Sequence, residues 1–254
     1  MRRLRAIALF AIVLVLYYAF RVLGHAAGNG FGDEWSEGLL KTGVWVVPCL
    51  LVLRFTRRIG YGQVLRELGL MASPMLGYGF GFIATLPMQL ALAFQHPLTL
   101  DPGVILSSVI FGCFAEELLF RGFLFRQLVR SAGWPVSTAI LASALAFGLA
   151  HLGNVAVQDT RSVMFAIGEV GMTAAGGALF GWITWRTDSL WPAIGLHTFM
   201  NLWWEVFGVE EWSSQAQAGA TAIGPSLANL ARIASIVLAV LLVQRWKSKR
   251  PSMS

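Results

Sequence analysis

The chain has 254 residues, 56% of them hydrophobic and only 13% charged, with a mean hydropathy of +0.66. Soluble domains carry roughly 25% charged residues, so this composition excludes an ordinary water-soluble fold and points to a membrane protein. The net charge of +6 comes in short basic clusters between apolar windows, which excludes a basic, aromatic-interleaved nucleic-acid face and makes those clusters markers of topology.

Apolar windows long enough to cross a ~30 Å hydrocarbon core as helices fall at about 6–23, 39–56, 75–95, 103–128, 134–152, 163–185, 190–208 and 227–246. The expected fold is therefore all-α, a polytopic integral-membrane domain of about eight transmembrane helices spanning 1–254. The opening "MRRLRAIALFAIVLVLYYAF" followed by "GHAAG" also has the layout of a signal peptide, but an uncleaved first span is the simpler account when seven more follow. Arg2, Arg3 and Arg5 precede that span and Asp33, Glu34 and Glu37 follow it. Arg57, Arg58 and Arg66 follow the second span, Asp101 the third, Arg126 and Arg130 the fourth, and Glu210 and Glu211 the seventh. The chain closes on Arg245, Lys247, Lys249 and Arg250. Basic connections belong to the cytoplasmic side, so both termini are expected there, with Arg21 and Arg232 near the outer ends as exceptions. Trp182, Trp185 and Trp191 mark the inner edge, Trp203 and Trp204 the outer one.

Cys49 and Cys113 lie inside apolar windows without disulfide or zinc-knuckle spacing and read as small buried hydrophobes. "GYGFG" lacks the context of a phosphate loop. The pairs Gly77/Gly81 and Gly177/Gly181 have instead the GxxxG spacing that lets helix backbones approach in lipid.

A charged side chain near the bilayer centre costs about 2.5–3.5 kcal/mol on the insertion scale, so the deep polar residues select themselves: Glu116, Glu117, Arg121, His151, Glu169, His197 and Asn201. Glu117 and Arg121 are four apart with the acid first, the favoured order for an ion pair along a helix. Glu116 is rotated by about 100° from Glu117, so the same arginine does not readily serve both. A carboxylate withdrawn from water in this way suits general acid or base work near neutral pH. "FGLAH" puts Phe147 and His151 on one helix face, and "HTFMN" does the same for His197 and Asn201, each able to donate a hydrogen bond or orient a water. Taken singly, each is also explained by packing or an interhelical hydrogen bond. Taken together they converge on a carboxylate, two imidazoles and a carboxamide inside a hydrophobic bundle.

The ordered set "EELLFR", "FGLAH" and "HTFMN", each on its own apolar span, resembles the CPBP family of intramembrane proteases. That family includes CAAX prenyl proteases of the Ras-converting type and bacteriocin-processing or self-immunity (Abi) proteins. The resemblance covers roughly 103–205 and implies a protease-like core at about 103–208. By the resemblance, Glu116 with His151 activates a water against a peptide carbonyl and His197 with Asn201 stabilises the oxyanion, while Glu117, Arg121 and Phe147 are supporting. The family is often described as metalloprotease, and Glu116, His151 and His197 could supply a His₂Glu shell for Zn²⁺. No HExxH is present, and the metal-free reading is preferred.

The expected substrate is a peptide or membrane protein at the bilayer, with the bacterial inner membrane as location. The alternatives are a non-proteolytic self-immunity or binding protein and a proton-coupled transporter, the latter opposed by the lack of an inverted repeat. Glu169 is expected either to line the cavity or to pair with Arg161 or Thr173. One difficulty is geometric. Counted along straight helices at ~1.5 Å per residue, Glu116, His151 and His197 lie at unequal depths, so a boundary is misplaced or a helix is tilted, broken or re-entrant.

Overall fold

The computed structural model describes residues 2–26, 42–93, 102–106, 111–152, 163–206 and 223–246, and they are all-α. The acidic connections Asp33, Glu34, Glu37, Asp101, Glu210 and Glu211 lie outside the described residues, as do Arg161, Lys247, Lys249 and Arg250.

Helix α1 runs Arg2–Ala26, and a π-helical turn Thr42–Val46 leads into α2, Val47–Thr56. There follow α3 (Tyr61–Leu68), α4 (Pro74–Ala84) and α5 (Leu86–Ala93). A short turn at Pro102–Val104 precedes α6, Gly112–Glu117, which continues through a π-helical segment Leu118–Phe125 into α7, Arg126–Arg130. The rest is α8 (Val136–Ala150), α9 (Val163–Thr187), α10 (Trp191–Val206) and α11 (Ile223–Arg245). Pro74 and Pro192 sit in first turns, where the missing N–H has no intrahelical partner to lose. Gly69 ends α3 with φ of +78°, a left-handed C-cap that L side chains resist.

Two of the expected windows are not uniform α-helices. The third is bent by 51° between α4 and α5. Pro87 at the start of α5 withholds an N–H and crowds the carbonyl one turn back, while Thr85 Oγ1 donates to Gly81 O at 2.9 Å. The fourth consists of successive helical pieces, and its π-helical segment supplies the Phe120 carbonyl that accepts a hydrogen bond from Ser143 Oγ of α8 at 2.8 Å. Among the described residues, one stretch, Leu227–Arg245, is alone long and apolar enough to cross a membrane, and α4 with α5 passes the same test as a bent pair.

The most extensive pairings are α4 with α10 and α8 with α9, and glycines permit both. A Cβ on Gly77 or Gly81 would overlap Trp191 or Gly195, and one on Gly195 would overlap Gly77. On α9, a Cβ on Gly177 would stand 3.2 Å from Ala144 Cα and one on Gly181 3.3 Å from Ile140 Cγ2. The GxxxG spacing is thus where helices touch. Apolar packing falls into two clusters. One is built on Trp45, Tyr17, Leu118 to Phe125 and Phe147, the other on Phe80, Met88, Phe180, Ile183 and Leu196.

At one end the helices are pinned by polar contacts. Arg126 pairs with Asp188 at 3.1 Å and Arg130 with Glu67 at 3.1 Å. The Leu190 N–H donates to Gly69 O at 2.9 Å, and Trp191 Nε1 donates to Leu70 O at 3.1 Å.

The α4–α10 contact yields a direct test. Gly81→Ala is expected to lower unfolding stability by roughly 1–3 kcal/mol through overpacking, whereas Gly79→Ala, with nothing within 4 Å of the added carbon, is expected to be neutral or slightly stabilising. Thermal unfolding of the purified variants distinguishes them.

Candidate active site

Glu117 and Arg121 straddle the junction of α6 with the π-helical segment, and both side chains are fully buried. Arg121 Nη1 donates to Glu117 Oε1 at 2.9 Å, the i,i+4 pair expected from the sequence. The guanidinium carbon lies 4.1 Å from the Phe147 ring centroid and 5.4 Å from that of Phe180. Those two rings belong to the two apolar clusters, so the cation occupies the seam between them. A cation held over aromatic faces away from water gains up to about 2 kcal/mol from the ring quadrupoles. Room for it comes from Gly177, whose added Cβ would stand 2.7 Å from Arg121 Nη2.

The same Glu117 Oε1 is 2.8 Å from His197 Nδ1 on α10. A carboxylate only accepts, so His197 donates its Nδ1–H, and the ring's orientation follows from the ion pair. Phe180 stacks on the imidazole with ring centroids 4.9 Å apart, and Phe147 meets it edge-on at 6.0 Å. His197 Nε2 is thereby turned toward Glu116, 3.9 Å from its Oε2.

Glu116, Phe147, His151, His197 and Asn201 line one cavity of about 580 Å³. Glu117 and Arg121 stand behind its wall. His151 is the C-cap of α8; its Nδ1 is 2.8 Å from Phe147 O, and its ring packs edge-on to Phe147 at 4.6 Å. Donation from Nδ1 to that carbonyl leaves Nε2 as the acceptor. Asn201 Nδ2 is 3.5 Å from Cys113 Sγ, a weak sulfur contact.

The depth problem raised by straight rods is resolved by the choice of reference level. Asp188 is paired with Arg126, not with Arg130. Counted from that pair, Glu116 is ten residues and His197 nine residues along the chain, so the two lie at similar depth. Ser143 is level with Phe120 through its hydrogen bond, which puts His151 about one turn beyond Glu116, with the Phe147 ring bridging the offset.

Thr173 of α9 and Asn229 and Arg232 of α11 line the same cavity. Sequence reasoning treated Arg232 only as an exception to the charge count. The available signal was "ANLAR", where two polar residues three apart share one face of an otherwise apolar helix. Glu169 is half-buried on α9, one turn from Thr173, and is not among the residues lining the cavity; Arg161 lies outside the described residues. Among the described residues, no three His, Cys, Asp or Glu side chains are gathered as a metal site. Glu116, His151 and His197 share one cavity.

Residues 98–203 match the family model described as type II CAAX prenyl endopeptidase, Rce1-like. The match spans less than half of the chain, includes every residue of the three motifs, and is a likeness at family level that carries no subtype. Comparison with curated proteins finds no match, and neither does comparison with solved structures.

The buried pair can be tested apart from any activity. Arg121→Met takes the guanidinium from the buried Glu117 carboxylate and Glu117→Leu takes the carboxylate from the guanidinium; each is expected to cost about 3–5 kcal/mol, part of which the double variant recovers. A thermodynamic cycle over the three variants measures the coupling; additive losses would mean that the two side chains act separately.

Proposed function

We propose that this protein is an intramembrane endopeptidase of the CAAX-protease-like kind, hydrolysing a peptide bond of a membrane-associated peptide or protein. The observation that carries this reading is the meeting of Glu116 and His197 Nε2 at 3.9 Å on the wall of a cavity shared with His151 and Asn201. The family match supports the reaction class.

In this reading Glu116, assisted by His151 Nε2, takes a proton from a water in the cavity. The resulting hydroxide attacks the peptide carbonyl carbon, and the carbonyl oxygen becomes an oxyanion that accepts hydrogen bonds from His197 Nε2–H and Asn201 Nδ2–H. Collapse of the tetrahedral intermediate breaks the C–N bond, and Glu116 returns its proton to the leaving amine. Donation from Nε2 makes His197 an imidazolium, because its Nδ1–H is already given to Glu117. Two carboxylates, one guanidinium and one imidazolium then sum to zero charge, the arrangement that a low-dielectric interior favours. Arg232 and Asn229, which also line the cavity, suit the carboxylate end of a substrate.

Placement in a membrane is supported by where the apolar side chains face. Leu141, Leu145 and Leu149 form an exposed stripe on α8, and Leu230, Ile233, Val237 and Leu241 another on α11, while arginine and glutamate are buried within. That is the inverse of a water-soluble protein. In this placement the apolar windows are about eight spans, and Arg57, Arg126, Arg130 and Arg245 lie at the cytoplasmic end.

Cleavage of a peptide library by detergent-purified protein is expected to fall by at least about 100-fold in Glu116→Gln and to survive a chelator. Equal cleavage by both proteins would refute the role of Glu116, and chelator-abolished cleavage restored by Zn²⁺ would refute the metal-free step. Arg232→Gln is expected to raise KM for peptides with a free C terminus and to leave amidated peptides unchanged; equal effects on both would remove the assignment of Arg232.

A further inference from the structure

We propose that the cytoplasmic end carries a second site, which binds the phosphodiester headgroup of an anionic phospholipid between α1, α2 and α7. The proposal rests on the membrane placement argued above and not on proteolysis. A separate cavity of about 440 Å³ lies here, lined by the buried Phe123, the half-buried Leu9, Ile12 and Val52, and the exposed Arg5 and Arg57, which therefore stand at its mouth.

Arg5 and Arg57 are exposed, and their hydrogen-bond partners among the described residues differ in charge from those of the arginines that line or adjoin this end of the bundle. Arg121 has Glu117, Arg126 has Asp188, and Arg130, at the edge of this same cavity, has Glu67. Arg5 Nη1 donates to the Ser131 carbonyl at 3.3 Å. Arg57 Nη2 donates to Ser131 Oγ at 2.6 Å and to Gln127 Oε1 at 3.2 Å. Two guanidinium groups from separate helices therefore converge on one serine, and every acceptor they have among the described residues is neutral. Ser131 Oγ in turn donates to Gln127 Oε1 at 2.7 Å, which fixes the acceptors in place.

Like charges brought together over neutral acceptors are relieved by an anion, and a phosphate offers the several oxygens that two guanidinium forks can share. Basic residues at the cytoplasmic end are expected of any membrane chain. What singles out this place is the apolar slot directly behind the two cations. A soluble anion has no use for that slot, whereas a phospholipid fills it with acyl chain while its phosphate stays at the level of the arginines. The slot adjoins the exposed apolar faces of α1, at Leu4 and Ile7, and of α2, at Leu51 and Phe55, the faces that acyl chains cover in the proposed placement.

The test is lipid retention by the full chain, purified in neutral detergent and offered equal amounts of phosphatidylglycerol and phosphatidylcholine, read by native mass spectrometry. Phosphatidylglycerol is expected to be retained in preference, and Arg5→Gln and Arg57→Gln each to lower that preference about fivefold. Arg66→Gln, which removes an exposed charge outside the slot, is expected to leave it unchanged. An undiminished preference in the double variant, or an equal loss in Arg66→Gln, would overturn the site. Displacement of the lipid by inorganic phosphate at matching concentration would overturn the lipid assignment in favour of a soluble anion. Because Glu116→Gln should keep full lipid preference, loss of the protease reading and loss of this one are separately visible.

Discussion

The structure turns on one oxygen. Glu117 Oε1 receives both Arg121 and His197, and so joins the α6 junction to α10 at a point where neither charge meets water. Burying such a set is expensive unless every charge is matched, and the matching here is distributed. Glu117 balances the guanidinium, the Phe147 and Phe180 rings cover its faces, and Gly177 leaves it the necessary space. The return is a fixed imidazole. With Nδ1 committed, His197 presents Nε2 to Glu116 and to the cavity without searching other rotamers, the kind of preorganisation on which electrostatic catalysis depends.

Close backbone approach serves the same end. Gly77, Gly81 and Gly195 bring α4 against α10, and α10 carries both His197 and Asn201. The contact of Arg126 with Asp188 then sets the height of α10 against α7, and that of Leu190 with Gly69 sets it against α3. Side chains of modest length meet because two helices are fixed in register at one end and allowed close contact along their length. If His197 and Asn201 bind an oxyanion as proposed, a loosely packed helix would deny them this precision.

Much of this was legible in the sequence, for identifiable reasons. Charged residues in apolar windows are costly enough to be informative, so Glu116, Glu117, Arg121, His151, His197 and Asn201 stood out before any coordinates. The Glu117–Arg121 pair followed from helical spacing alone, and the glycine pairs marked helix contacts. The partner of Glu117 across the bundle was not readable, since an 80-residue separation between Glu117 and His197 leaves no periodic trace. Nor was the π-helical segment at Leu118–Phe125, which leaves hydropathy unchanged; a broken helix is expected from the unequal depths, and Pro87 is the residue that marks where the bend at Thr85 falls. Arg232 was visible but misfiled, because a charge near a span's end satisfies a topology count as easily as a cavity wall.

The two chemistries open to a Glu and two His part at a single proton. As a donor to an oxyanion, His197 needs hydrogen on both ring nitrogens; as a metal ligand, it needs Nε2 bare. Both require Nδ1–H on Glu117, which is the central claim. The chain has four histidines, few enough for ¹⁵N NMR of histidine-labelled protein in detergent, with His197→Asn to assign the signal. The account predicts that His197 Nδ1 carries a proton in the resting protein and that Glu117→Leu releases it to the mixed tautomers of an unrestrained imidazole. A bare Nδ1 with the proton on Nε2 in the wild type would contradict it.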